Sequence, residues 1–407
     1  MWRAEAPSPA SPAVADGAGK TAGAYVHVPF CARVCPYCDF AVVEGRDDMA
    51  DRYLAAVQAE IAGAGGWRPL EAVFVGGGTP SRFGSPRLAA LVSALEERFG
   101  VAPDAEVTLE ANPEDWTPAL AAELVAAGYT RVSFGAQSFD SGVLAALGRR
   151  HAPGRIADAV AQARAAGFAS INLDLIFGTP GESLECWEET VGAALELPVD
   201  HVSCYALTVE RGTPLGRAVA GGAAAPDPDL QADMYRAADH HLTRAGMVRY
   251  EVSNWAKPGH ACRYNLAVWA QAEYEAFGNG AHGYRLGARF RNHRRLEAYL
   301  GRVESGRSPR AGSDRLEGWE AEVDRIFVGL RRAAGVPVGP GVDALVTSPD
   351  GARLIEAGLI HVRDGRLVVL DPLLTDEVER AVLGLAPPEA ADDPGGIGSP
   401  GASTPLP

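Results

Sequence analysis

The chain is almost without lysine. Only Lys20 and Lys257 carry that side chain among 407 residues, and every other basic residue is arginine. Positive charge is short as a whole, with 37 Lys and Arg against 52 Asp and Glu and a formal charge of -15. Sequence-independent binding to nucleic acid depends on an excess of basic groups, so nucleic acid is not expected as a partner. No apolar run approaches the roughly 20 residues that a membrane-spanning helix needs. The opening MWRAEAPSPASPAVADGAGKTAG lacks the basic-then-apolar order of a secretory signal. The six cysteines, three of them crowded between positions 31 and 38, do not form the framework of a secreted disulfide scaffold. A reducing cytoplasm is the expected compartment.

What is present is enough apolar residue, 47%, for a sizeable interior. Residues 1–22 and 387–407 are rich in Ala, Pro, Gly and Ser, show no periodicity, and are expected to be disordered. Between them, short β-branched runs alternate with Ala/Leu-rich stretches of helical period. Strands are expected at Tyr25–Pro29, Ala72–Val75, Glu106–Ala111, Arg131–Gly135, Ser170–Phe177 and His201–Leu207, with helices in the gaps. Six βα units predict an α/β fold, a partial (β/α)6 barrel over residues 23–256. After Lys257 the alternation fades into aromatic-rich loops (Trp269, Tyr274, Phe277, Tyr284). Helices and a hairpin turning at Asp364-Gly365 follow, so residues 257–386 are expected to form a smaller α+β domain of winged-helix kind.

The strand faces carry more information than their number. Asn172 and Asp174 alternate with Ile171, Leu173 and Leu175; Thr108 and Glu110 with Val107 and Leu109; Ser133 and Gln137 with Val132 and Phe134; Tyr25 and His27 with Val26 and Val28. Strands send successive side chains to opposite faces, so each polar set is expected to point into the barrel. A barrel built only for stability fills that space with Val, Ile and Leu. Unpaired polar groups there cost a few kcal/mol each, roughly, so they require one another or a polar ligand.

Cys31, Cys35 and Cys38 follow the first strand directly, in HVPFCARVCPYCDF. Three thiolates on one short loop can ligate three irons of a four-iron cube and leave the fourth iron open. A structural zinc site would need a fourth ligand, and no Cys or His pair nearby has suitable spacing. Cys186 and Cys204 read as packed small hydrophobes. Gly76-Gly77-Gly78-Thr79-Pro80 ends the second strand and leaves backbone N–H groups open to a polar ligand. Glu110, Asn112, Gln137, Asp174 and Arg149 end or follow later strands on the same face of the barrel. A local basic cluster, Arg285, Arg289, Arg291, Arg294 and Arg295, reads as a solvated face.

The CxxxCxxC pattern with an aromatic before its last cysteine resembles the radical SAM superfamily. That resemblance implies a [4Fe-4S] cluster whose open iron binds S-adenosylmethionine (SAM), reduction of which yields a 5′-deoxyadenosyl radical. The stretches YVHVPFCARVCPYCDF, FVGGGTPS, TLEANPE, RVSFGAQSFD, LGRRH, INLDLIFGTPGE and YEVSNWAKPGHACRYN are similar to the HemN/HemW group over nearly the whole folded chain. The resemblance maps Tyr25, Tyr37, Gly77, Gly78, Thr79, Glu110, Gln137, Arg149 and Asp174 onto SAM-contacting positions. Within the group, coproporphyrinogen III dehydrogenases oxidatively decarboxylate porphyrinogen propionates and have another cysteine two residues after the last ligand. Phe40 stands there in this chain. That departure implies the other branch, haem chaperones, with haem as cargo, haem-accepting proteins and an electron donor as partners. Their HNxxYW motif matches Tyr264-Asn265-Leu266-Ala267-Val268-Trp269, so tyrosine replaces its histidine. Tyr264, His260 and Cys262 are the residues available to ligate haem.

Overall fold

The computed structural model describes residues 18–387, so the two expected disordered arms lie, but for residues 18–22 and 387, outside the described residues. Six parallel strands form the frame: β1 (Gly23–Val28), β2 (Leu70–Gly77), β3 (Val101–Ala111), β4 (Arg131–Gln137), β5 (Ser170–Phe177) and β6 (His201–Ala206). The helices that return the chain between them are α1 (Ala50–Gly63), α2 (Ser85–Phe99), α3 (Pro118–Ala126), α4 (Pro153–Ala166) and α5 (Leu184–Leu195), with α6 (Pro228–Arg244) after β6. Their ends follow local chemistry. Thr117, Ser183 and Asp227 cap α3, α5 and α6 by accepting backbone N–H bonds, each worth about 1 kcal/mol. Gly167 closes α4 in the left-handed conformation that a Cβ disfavours.

The apolar sets of the strands pack against these helices in one continuous core. Val26, Val107, Leu109, Val132, Phe134, Ile171, Leu173 and Cys204 all belong to it, and Trp116, Trp187 and Trp255 are fully buried. The polar sets therefore face inward, as the alternation predicts.

The sheet does not stop at residue 257. Beyond β6 it adds β7 (Val248–Arg249) and β8 (Asn254–Ala256), both antiparallel. The helix α7 (Arg263–Trp269) then crosses to the far side, and β9 (Tyr274–Phe277) pairs in parallel with β1. β10 (His282–Arg285), β11 (Ala288–Asn292) and β12 (Arg310–Arg315) extend this edge as an antiparallel meander, with α8 (Leu296–Glu304) before β12. The sheet thus runs β12-β11-β10-β9-β1-β2-β3-β4-β5-β6-β8-β7. Tyr274, Phe277 and Tyr284, expected in loops, lie in these strands, and Trp269 ends a helix. The strands are short and separated by glycines, which in one dimension read as loop punctuation.

A second apolar cluster, from Ile326 to Val382, belongs to the C-terminal part. It lies among α9 (Gly318–Gly329), β13 (Val336–Pro337), α10 (Pro340–Thr347), α11 (Pro349–Glu356), β14 (Ile360–Arg363), β15 (Arg366–Val369) and α12 (Thr375–Leu383). The β14–β15 hairpin turns at Asp364-Gly365, both with positive φ (50° and 71°). That is the tight turn whose twist matches the strands. No helix among the described residues is long and apolar enough to cross a membrane.

Candidate functional site

The carboxyl ends of β1 to β5 converge on the cysteine loop. A two-residue parallel pairing, Phe30–Cys31 with Val43–Glu44, ties the two ends of that loop together. Inside it the Cys38 N–H donates to the Cys35 carbonyl at 3.1 Å. Cys31 is buried, Cys35 and Cys38 are half-buried, and all three are free thiols. Thr79 Oγ1 donates to Cys31 Sγ at 3.6 Å, and Arg149 Nη1 to Cys35 Sγ at 3.6 Å. Gly78 is required by space: a Cβ there would lie 2.9 Å from Cys31 Sγ and 2.8 Å from the Pro29 carbonyl oxygen.

Around this loop the other expected residues gather. Asn112 Nδ2 donates to Thr79 Oγ1 at 3.2 Å, and Arg149 Nη2 binds both Asn112 Oδ1 and the Gly135 carbonyl. His151 fixes the segment that carries Arg149, bonding Glu114 at 3.0 Å and the Ala136 carbonyl at 3.1 Å. The Gly77 N–H donates to Glu110 Oε2 at 2.8 Å. A register shift at the end of β4 leaves Gln137 at φ 65°, a left-handed conformation uncommon outside glycine. Tyr37 sits beside Cys35 and Arg149 and packs against the apolar cluster of Val143, Leu147, Ile176 and Leu207. Tyr25 bonds His27 Nδ1 at 3.0 Å within the barrel.

The polar lumen divides into two parts. Near the amino ends of the strands the groups satisfy one another. Asn172 joins Ser133, Asp174 and Ser203, while His201 bonds Asn172 at 2.6 Å and Tyr250 at 2.9 Å. Nearer the cysteines, Arg149 Nε is buried without a partner. Burial, and then the neighbouring Asp174 charge, push Glu110 up to about 7. Burial likewise raises Asp174, against the hydrogen bonds it accepts. Burial raises Cys31 to about 11.

These observations fit a sulfur-bound cluster and a zwitterionic ligand. Buried thiols ionise only beside positive charge, which iron supplies and Arg149 supports. Two desolvated carboxylates suit a cationic group, and an unpartnered guanidinium nitrogen suits a carboxylate.

A cavity of about 650 Å³ adjoins this site. It reaches from Gly77 and Glu110 past Tyr25 and Phe74 to Phe40 at its mouth. Of the three residues expected near haem, Tyr264 alone lines it. Its ring lies 5.3 Å from Phe74 and 6.2 Å from Tyr25, centroid to centroid. Cys262 does not reach the cavity: it precedes α7 and is buried beside Tyr250, Ala256 and Leu266. His260 presents its carbonyl to Arg131, and its side chain is not part of the cavity wall. Sequence proximity to Tyr264 misleads here because the start of a helix rotates neighbouring side chains apart.

The basic cluster is not one solvated face. Arg285 binds Glu273 and Glu275 and covers the Trp67 ring at 4.0 Å. Arg289 pairs with Asp324 at 2.5 Å. Arg291 and Arg294 line the cavity together with His282, which sequence reasoning passed over. The one available signal was alternation through β10 and β11, hidden by Gly283 within β10 and Gly287 in the turn between them.

Comparison with known proteins places the chain. Residues 25–194 match the family model described as the radical SAM superfamily. A protein of Mycobacterium tuberculosis named heme chaperone HemW is 42% identical over 385 residues, covering 92% of this chain and 97% of that one. The chain belongs to the HemW family. A heme chaperone HemW of Bacillus subtilis is 33% identical over 374 residues, covering 89% and 99%. Among solved structures, coproporphyrinogen III oxidase (HemN) from Escherichia coli superposes with a TM-score of 0.78 at 23% identity, covering 91% and 92%. That likeness shows the shared fold: a radical SAM sheet with helices and a HemN-like C-terminal part. Radical SAM proteins in general use a [4Fe-4S] cluster and SAM.

Proposed function

We propose that this chain is a haem chaperone that holds a [4Fe-4S] cluster on Cys31, Cys35 and Cys38, binds SAM beside it, and delivers haem to acceptor proteins. One observation carries the reading: the match to heme chaperones runs over nearly the full length of both chains. Phe40 supports it, since a 67% exposed phenyl ring occupies the position where the dehydrogenase branch has another thiol.

The cluster, when bound, supplies an iron with an open coordination position for the amino and carboxylate groups of SAM. The chain's own residues do the rest. Glu110 offers negative charge to the ammonium, and Arg149 and Thr79 offer donors to the carboxylate. Asp174 and Gln137 take the ribose and adenine, and Tyr25, Tyr37, Gly77 and Gly78 shape the walls. An electron donor for the cluster and haem-accepting proteins, respiratory ones among them, are the proposed partners. The cytoplasm is the proposed compartment.

The test pairs two measurements on anaerobically reconstituted protein. Haem titration is expected to give a saturable absorbance change. Incubation with coproporphyrinogen III, SAM and a reductant is expected to give no vinyl product. Sustained SAM-dependent decarboxylation would replace this reading with the dehydrogenase.

A further inference from the structure

The polar groups of the cavity are of two kinds. Those on the parallel strands are already engaged: His27 bonds Tyr25 through Nδ1 and the Ala41 carbonyl through Nε2, each at 3.0 Å. Glu110 is held by Gly77. On the antiparallel side the pattern changes. His282 on β10 and Arg291 on β11 are direct cross-strand partners, and both line the cavity. Among the described residues neither ring nitrogen of His282 and no nitrogen of the Arg291 guanidinium has a hydrogen-bond or ion-pair partner. Arg294 lines the same wall; its Nη2 is held by Asp39 and the Phe40 carbonyl, and its other two nitrogens are without partner.

The lining also includes the aromatic residues Phe74, Tyr264, Trp269 and Tyr274. One cavity therefore offers aromatic surface, one imidazole without a protein partner and two guanidinium groups. Those are the demands of a planar metallated macrocycle with carboxylate arms: a nitrogen ligand for the metal, bidentate donors for carboxylates, and aromatic contact for the ring faces.

We propose that His282 ligates the iron of the haem carried by this chain, and that Arg291 and Arg294 bind its propionates. The proposal rests on the haem-carrying reading and deepens it by naming the seat of the cargo. His282 is exposed at the cavity wall, and partial desolvation, with Arg291 and Arg294 beside it, lowers its pKa from the ordinary value, which favours the neutral ring that binds metal. Tyr264 is the poorer ligand. Its ring packs among Tyr25, Phe74 and Tyr274, and burial raises its pKa well above the ordinary value, against the phenolate that iron requires. It becomes part of the aromatic lining.

The test titrates ferric haem into the cluster-loaded full chain and follows absorbance and the haem electron paramagnetic resonance signal. His282→Ala is expected to weaken haem binding about tenfold or more and to remove the nitrogen-ligated signature, with iron per cluster unchanged. His282→Gly with added imidazole is expected to regain that signature, which a misfolded variant could not do. Tyr264→Phe is expected to leave it unaltered. Arg291→Gln is expected to weaken haem about tenfold while leaving haem dimethyl ester binding unchanged. A wild-type signature and affinity in His282→Ala would overturn the ligand assignment, and equal wild-type affinity for haem and its dimethyl ester would overturn the propionate assignment. Failure of the wild-type chain to bind haem at all would remove the haem-carrying reading and this proposal with it.

Discussion

The two sides of β1 belong to one sheet but complete their polar groups differently. Toward β2–β6 the strands are parallel, their outer faces are covered by helices, and much of the inward polarity is bonded within the chain. Toward β9–β12 the strands are short and pair antiparallel beyond β9, and His282 and Arg291 remain without protein partners at a cavity wall. A βα unit repeats its environment, so each strand meets its neighbour in equivalent register and its polar groups align in layers. A meander lacks that repetition. It can carry groups that face a cavity without a protein partner, and on the proposed reading the contrast separates cofactor binding on one side from cargo on the other.

The largest effect expected on the parallel side is loss of the cluster. Cys35→Ala should abolish the broad visible absorption of a four-iron cluster and bring bound iron close to zero, measured by iron assay after anaerobic reconstitution. Full iron retention would mean that the loop is not the cluster site, and the division between the two sides would collapse.

Next comes packing. Trp187 is fully buried behind β5 and donates from Nε1 to the Met234 carbonyl at 2.7 Å. Trp187→Ala should cost about 3–5 kcal/mol of unfolding free energy, read from denaturant curves.

Glu60 joins the two sides. Its carboxylate on α1 accepts from the Gly278 N–H, Asn292 Nδ2 and the Tyr299 hydroxyl, all belonging to the antiparallel side or its helix. Burial raises its pKa from 4.5 to about 7 against those bonds. The folded state then binds more protons than the unfolded state between those values, so stability falls as pH rises through that window. Glu60→Gln should flatten the decline in melting temperature between about pH 5 and about pH 8. An unchanged slope would assign the decline to Glu110, Glu182 and Glu251, which burial also raises to about 7.

The smallest effect lies at the contact with the C-terminal part. Asp324 on α9 receives Arg289 and Gln271, but Arg289 is 43% exposed. Asp324→Asn should therefore cost less than about 1 kcal/mol and leave cluster and haem binding intact.

The parallel half was legible residue by residue. Alternation in Ser170–Phe177 placed Asn172 and Asp174 inward, and six βα units gave the sheet order from β1 to β6. The cysteine loop, Glu110, Arg149 and Thr79 were legible too, because a loop at a strand's carboxyl end has a known face. The antiparallel half was not. Tyr274–Phe277 is too short for a periodic signal, and Glu275 interrupts its apolar run. Its partner β1 lies some 250 positions away, as Tyr25 opposite Ala276 shows.

The sequence by itself determined the α/β class, the loop of three thiols and the inward polarity of the first strands. These depend on local spacing, and a periodicity of two or a CxxxCxxC run survives without knowledge of the rest of the chain. Only the tertiary structure decided that Tyr264 faces the cavity while Cys262 does not, that the basic cluster is split among several partners, and that His282 and Arg291 stand together unpaired. Those outcomes depend on which remote segments pack together, and pairing across long separations leaves no mark in the order of neighbouring residues.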